Sequence, residues 1–263
     1  MKIERLSTAN LREGVFCVTG RPGSDEWYEQ LDAWLDGKVL RGNFARGDDG
    51  EVLGFVLYLD LEKAPVEIEG GGYYLMQCLY VKPHYQGQGV GKALIETALA
   101  DARTCGAAGF VCEGFRPDPR GPREFLPETF FQHRGMPDAE SRGPATLYYT
   151  LFEPSAPPPR YVPLNFNPRP GKRIRIDILD CKRCYYNVRS RNIVQSVLSE
   201  IEKQGVSVHW HDQTTRQAVV DKGMSSGVFV DGKLTFFQGP VSEEDILNAL
   251  EVAIAARGEA NKP

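Results

Sequence analysis

The pattern of apolar and polar positions divides the chain into two runs of elements. In the first run it predicts strands at Lys2–Leu6, Leu40–Ala45 and Val52–Leu61, and helical spacing at Asn10–Thr19 and Glu26–Leu35. Tyr73–Val81 is a near-continuous apolar and aromatic run, the pattern of a strand buried on both faces. A helix is expected at about Val90–Arg103, a strand at Phe110–Phe115, a loop rich in Pro and Arg at Arg116–Arg123, a short helix near Glu128–Arg134, and a closing strand at Ala145–Phe152. The second run reads strand Ile174–Leu179, helix Ser190–Gln204, strand Val206–Trp210, helix Thr214–Lys222, strands Val228–Val230 and Lys233–Gln238, and helix Ser242–Arg257. That order is β-α-β-α-β-β-α. Asp231-Gly232 between its last two strands signals a hairpin, because a type I′ turn needs positive φ at both central residues.

Between the runs, seven prolines fall within the nineteen residues 153–171. Proline fixes φ and removes a donor, so neither helix nor sheet is expected to run through them. With 263 residues, two cores are expected rather than one: domains at 1–152 and 173–263, joined by a Pro-rich linker at 153–172. Hydrophobic residues at 41% and charged residues at 25% describe an ordinary globular chain. A net charge of -4 lacks the basic footprint of a nucleic-acid binder. There is no apolar run of the ~20 residues that cross a bilayer, and the charged start has no signal-peptide pattern. A cytoplasmic protein with neither a nucleic-acid nor a membrane partner is expected. Six cysteines are too sparse for a disulfide scaffold, and only Cys181 and Cys184 form an interpretable pair.

The densest chemical signal follows the apolar run at Tyr73–Val81. Glycines crowd the turn Lys82-Pro83-His84-Tyr85-Gln86-Gly87-Gln88-Gly89, and an amphipathic helix begins at Val90. Glycines let amide N–H groups approach an anion, and a helix N-terminus adds about half a positive charge. The stretch therefore suits a pyrophosphate. It is not a P-loop, because Gln86 stands where the first glycine belongs and Ala93 where magnesium needs a hydroxyl. As a dinucleotide fingerprint it fails at Lys92 and follows three strands rather than one.

Gln86, Gly89 and Gly91 fill the [QR]xxGx[GA] signature, and residues 1–152 resemble the GNAT acetyltransferase superfamily. The resemblance implies an α/β fold of the α+β GNAT kind, with a mixed central sheet splayed at the cofactor site, and acetyl-CoA as co-substrate. Backbone groups of Leu79, Tyr80 and Val81 would pair with the pantetheine arm, and Gln86 with the amides of Gly87, Gln88, Gly89, Val90, Gly91 and Lys92 would form the pyrophosphate loop. A main-chain N–H near Leu79 would face the developing oxyanion. The sequence departs from the family at Phe131, where members often place a tyrosine that protonates the leaving thiolate. The strand before the loop also carries no acidic general base. Glu113, Tyr80 and His84 are the catalytic candidates, with His133 and Tyr148 as further substitutes. Arg116, Arg120 and Arg123 read either as an anion-receiving set or as solvated loop charges, and Trp27, Tyr28 and Trp34 either as acceptor-pocket walls or as core anchors.

In the second run, Cys181-Lys182-Arg183-Cys184 sits where a strand gives way to a helix. This placement resembles a thioredoxin-like domain, and the two-domain arrangement is similar to proteins with a YoaP-like C-terminal part. A helix N-terminus and cationic neighbours favour a thiolate, so Cys181 is expected to attack and Cys184 to resolve. The cis-proline of thioredoxins is replaced by Ser225-Ser226-Gly227-Val228. His209 and His211 leave a Cys₂His₂ metal reading open; no metal is the leading expectation. The leading function is acetyl transfer to the amine of a small molecule or peptide, with the CxxC module docking substrate or giving redox control. Two alternatives are a non-catalytic acyl-CoA sensor and a thiol–disulfide or metal-binding protein with an accessory acetyltransferase-like domain.

Overall fold

A computed structural model of the chain describes residues 1–116, 126–203, 205–236 and 241–260. It comprises two compact units: Met1–Ala64 with Ile68–Tyr161, and Pro65–Glu67 with Val162–Pro263. Residues 153–172, expected as a linker, are thus shared between the units.

The first unit contains β1 (Lys2–Arg5), α1 (Leu11–Gly14), α2 (Ser24–Asp36), β2 (Leu40–Arg46), β3 (Val52–Asp60), β4 (Ile68–Glu69), β5 (Tyr73–Val81), α3 (Val90–Thr104), β6 (Gly109–Phe115), α4 (Glu128–Gln132), β7 (Asp138–Arg142), β8 (Ala145–Leu151) and β9 (Arg160–Tyr161). Seven strands form one mixed sheet in the order β1-β2-β3-β5-β6-β8-β7, parallel only between β5 and β6. β4 and β9 pair separately, antiparallel. β3 is buried along nearly its whole length, as its unbroken apolar sequence requires. α3 buries Val90, Leu94, Ile95, Ala98 and Ala102 in one stripe, packed with Phe110, Cys112, Phe131 and Tyr148. On α2, Trp27, Tyr28, Leu31 and Trp34 are buried, so the aromatics are core anchors.

The helix expected at Asn10–Thr19 is a single turn. The Tyr28 hydroxyl donates to the Val15 carbonyl, tying down the chain where a second turn would begin, and Thr19 lies 2.9 Å from the same hydroxyl. The strands β4, β7 and β9 were not legible as apolar runs, because two of them are two residues long and β7 is mostly exposed.

α3 is fixed to the sheet by one polar network. Asp101 on α3 accepts from Arg41 on β2 at 2.6 and 3.1 Å and from the Tyr58 hydroxyl on β3 at 2.6 Å. Asn43 donates to that hydroxyl at 3.3 Å. Burial works to raise the Asp101 carboxyl, but the Arg41 and Tyr58 hydrogen bonds outweigh it and hold the group below its usual range.

The second unit contains β10 (Arg175–Asp180), α5 (Tyr185–Ser196), α6 (Leu198–Lys203), β11 (Ser207–Asp212), α7 (Arg216–Lys222), β12 (Gly227–Val230), β13 (Lys233–Phe236) and α8 (Glu243–Ala260). Its sheet runs β11-β10-β12-β13, with β10 and β11 parallel and the other pairs antiparallel. Ile176, Ile178, Val194, Ile201, Val228 and Ile246 belong to its core. Asp231 and Gly232 both take positive φ, 50° and 82°, as the hairpin demands. The helix expected from Ser190 begins at Tyr185, directly after the CxxC, and breaks at Val197 into α5 and α6. Its start was hidden because the capping residue is Cys184, whose backbone N–H donates to the Asn187 side chain at 3.1 Å. No helix among the described residues is long and apolar enough to cross a membrane.

Asp101→Asn should destabilise the first unit by about 1.5–3 kcal/mol at neutral pH, the range for a hydrogen bond to a charged group, read by urea unfolding. Because the folded carboxyl titrates below its unfolded value of about 3.9, its stabilisation is complete above that value and is lost as the pH falls through the lower folded one. The gap between wild type and variant should therefore close as acid is added.

Candidate functional site

The site begins where two strands part. β5 stays in register with β3 along its length, but Leu57 faces Cys78 while Tyr58 faces Met76, so Gln77 is an extra residue, a bulge. Towards β6 the parallel register runs only from Tyr73 opposite Gly109 to Met76 opposite Cys112. β6 then continues beside β8 as far as Phe115 opposite Ala145. From Gln77 onwards, β5 has left its neighbour. This corrects the expectation of a strand buried throughout: Tyr73, Leu75 and Met76 are buried, whereas Gln77, Cys78, Leu79 and Val81 are half-buried and Tyr80 is exposed. Gly54 lets β3 follow closely, since a Cβ there would meet the Tyr80 carbonyl oxygen at 2.5 Å.

The glycine-rich turn closes one end of this wedge. Lys82 and the Tyr85 hydroxyl both donate to Glu51, at 2.8 and 2.6 Å, which fixes the turn to the β2–β3 connection. Gln86 donates to the Val81 carbonyl at 3.0 Å and Gln88 to the His84 carbonyl at 2.7 Å, so these side chains shape the loop itself. Gly87 and Gly89 take φ of 74° and 85°, and no atom lies within 4 Å of where a Cβ would stand on either. Gly89 is the N-cap of α3. The first-turn amides of a helix lack intrahelical acceptors, and its dipole makes that end positive. Open space, left-handed glycines and a 15-residue helix N-terminus coincide, which is a cradle of the right chemistry for a pyrophosphate.

Of the catalytic candidates, Glu113 is the first β6 residue beyond the parting point. It is half-buried and accepts a hydrogen bond from the Tyr161 hydroxyl at 3.2 Å. Tyr80 has its ring against Phe55 and Phe16, with centroids at 6.0 and 5.6 Å, and continues an aromatic cluster. His84 and His133 are exposed, the first beside Tyr85 and the second at the end of α4. Tyr148 is buried and stacked on the fully buried Phe131, its hydroxyl accepting from Gln132 at 3.0 Å. Burial drives the Cys112 thiol far above its usual range. Arg116 donates to the Gly143 carbonyl; Arg120 and Arg123 lie outside the described residues. Sequence reasoning missed Tyr161, whose only signal was an aromatic residue inside a proline-rich stretch.

In the second unit the two cysteines stand in different surroundings. Cys181 is buried, and burial pushes its thiol up to about 12 although the Arg183 charge and the Arg183 amide N–H, 3.4 Å from Sγ, act in the opposite sense. Cys184, half-buried, stands at the helix N-terminus instead. Arg183 is itself buried and pairs with buried Glu67, another member of this unit, at 3.5 Å. His211 pairs with buried Asp177 at 2.8 Å, and exposed His209 lies 3.3 Å from Ser207. Among the described residues, no group of three or more His, Cys, Asp or Glu is placed to hold a metal. No cis peptide bond occurs among them either.

Comparison with known proteins aligns with the first unit. Residues 9–118 match the family model described as Acetyltransferase (GNAT) family. No curated protein matches. Similar solved structures include the PaiA N-acetyltransferase of Thermoplasma acidophilum in complex with coenzyme A, at 18% identity over 58% of this chain and 100% of that one, TM-score 0.39. A GNAT family acetyltransferase of Brucella melitensis in complex with acetyl-CoA is similar at 23% identity over 59% and 90%, TM-score 0.37. The ribosomal-protein-S18-alanine N-acetyltransferase of Escherichia coli is similar at 17% identity over 58% and 94%, TM-score 0.41. The match to the GNAT acetyltransferase family model spans residues 9–118, and it supports an acetyl-CoA-dependent acyltransferase domain in that part of the chain.

Proposed function

We propose that this domain transfers the acetyl group directly from acetyl-CoA to the amine of a small molecule or a peptide. One observation carries the reading: the parting of β5 from β6 leads from Glu113 to an open, left-handed glycine cradle at the head of α3. Backbone groups of Leu79, Tyr80 and Val81 take the pantetheine arm as an added strand. The amides from Gly87 to Lys92 hold the pyrophosphate. Acetyl-CoA supplies the activated acyl group. Glu113 receives the proton of the acceptor amine, and a main-chain N–H near Leu79 donates to the acyl oxygen as charge develops there. Because Phe131 offers no hydroxyl, the departing thiolate takes its proton from water. Tyr80 and His84 carry no proton in this scheme.

We infer that the second unit is a thioredoxin-like, YoaP-like domain in which the CxxC docks substrate or senses redox state; its strand order and the position of the cysteines support this. The accessible thiol in this reading is Cys184. A second reading, an acyl-CoA sensor without turnover, is favoured by the buried phenylalanine at 131. Release of CoA thiol with a panel of primary amines (spermidine, free lysine and a peptide with an alanine N-terminus) separates the two.

Gly89→Glu should abolish acetyl-CoA binding in calorimetric titration, since it sets a carboxylate in the cradle; unchanged affinity would sink the loop assignment. Glu113→Gln should lower kcat by about 100-fold or more, the usual share of a general base, with acetyl-CoA affinity unchanged. In native protein, iodoacetamide at pH 8 should modify Cys184 well before Cys181, as mapped by peptide mass spectrometry. Faster modification of Cys181 would restore the order expected from sequence.

A further inference from the structure

The segment after the closing strand brings a tyrosine to Glu113. Tyr161 lies on β9, ten residues beyond the end of β8 at Leu151 and outside the matched span 9–118. It is buried, and four separate restraints hold it. Its backbone pairs with Ile68, its amide N–H donates to Glu140 at 2.7 Å, the Arg142 guanidinium sits 4.4 Å above its ring, and its hydroxyl donates to Glu113 at 3.2 Å. A tyrosine fixed so firmly at its backbone and ring has little freedom left in its hydroxyl. The carboxylate that it touches is the first side chain of β6 past the parting point.

We propose that Tyr161 is a positioning residue for Glu113: it fixes the carboxylate at the edge of the wedge, so that the working transferase site extends to residue 161. This rests on the reading of Glu113 as general base. A flexible glutamate spends part of its time turned away from an incoming amine, and a buried, tightly held donor restrains it. In this proposal Tyr161 acts through Glu113 and not on the reacting atoms.

The test is a cycle in the full-length chain: wild type, Tyr161→Phe, Glu113→Gln and the double variant, followed by CoA-thiol release from acetyl-CoA with the fastest amine of the panel. Removing only the hydroxyl leaves the packed ring in place, and thermal unfolding checks that the fold survives. Tyr161→Phe should lower kcat by about 10- to 100-fold, the size of one hydrogen bond to a charged group, with KM for acetyl-CoA unchanged. In the Glu113→Gln background it should have no further effect. A wild-type rate in Tyr161→Phe overturns the proposal, as does an equal loss in both backgrounds, and in either case a slow Glu113→Gln leaves the base reading standing. A wild-type rate in Glu113→Gln, or no thiol release with any amine, removes the base reading and this proposal together.

Discussion

Everything in the first unit depends on two parallel strands that stop pairing. A sheet that stayed zipped would satisfy its own backbone groups and leave no room for a ligand between strands. Here the extra residue at Gln77 falls where β5 stops pairing with β6, while β3 still holds its other edge. A bulge increases local twist and ends pairing. Its effect is to open backbone groups that, in a buried sheet, must find partners. In the proposed function, the extended, amide-bearing cofactor arm satisfies them as a strand would.

The wedge alone would not select an anion at its end. In the proposed site that selection falls to α3, whose N-terminus must arrive next to the last residue of β5 with first-turn amides unengaged by its own helix. Two features place it there. At its head, Gly89 in the left-handed region turns the chain into the helix without a Cβ to block the approach. Further along, Asp101 locks the helix to β2 and β3 through Arg41 and Tyr58. The network is half-buried and satisfied on several sides, and a buried charge is tolerable only under that condition. A helix free to slide by one turn would move its positive end about 5 Å and lose the cradle.

The parts legible in the sequence were those whose reason is local. The glycines at 87 and 89, the stripe of α3 and the Asp231-Gly232 turn each announce a backbone requirement within a few residues, and each stands where the pattern placed it. The Tyr73–Val81 strand was placed correctly but read as uniformly buried, because periodicity sees apolar residues and not the departure of a neighbour. Tyr161 was invisible for a related reason. Its partners Glu113, Glu140 and Ile68 are scattered along the chain, and its own surroundings of prolines spoke for a linker. The single turn at Leu11–Gly14 was overread because the Tyr28 hydroxyl that claims the Val15 carbonyl sits on another helix.

At the CxxC, burial and the charge pattern of the sequence act on Cys181 in opposite directions. By charge alone, a helix end and two cationic neighbours lower the thiol of Cys181. Helix ends contribute typically 0.3–1 kcal/mol near the surface, whereas withdrawing a charge from water costs several. Burial therefore wins at Cys181. The nearer cation is also already engaged, since Arg183 answers the Glu67 carboxylate within the same buried patch. Meanwhile the helix starts at Tyr185, so its N-cap is the second cysteine and not the first. The sequence places charge around the pair but does not report the burial of Cys181, and that burial dominates there.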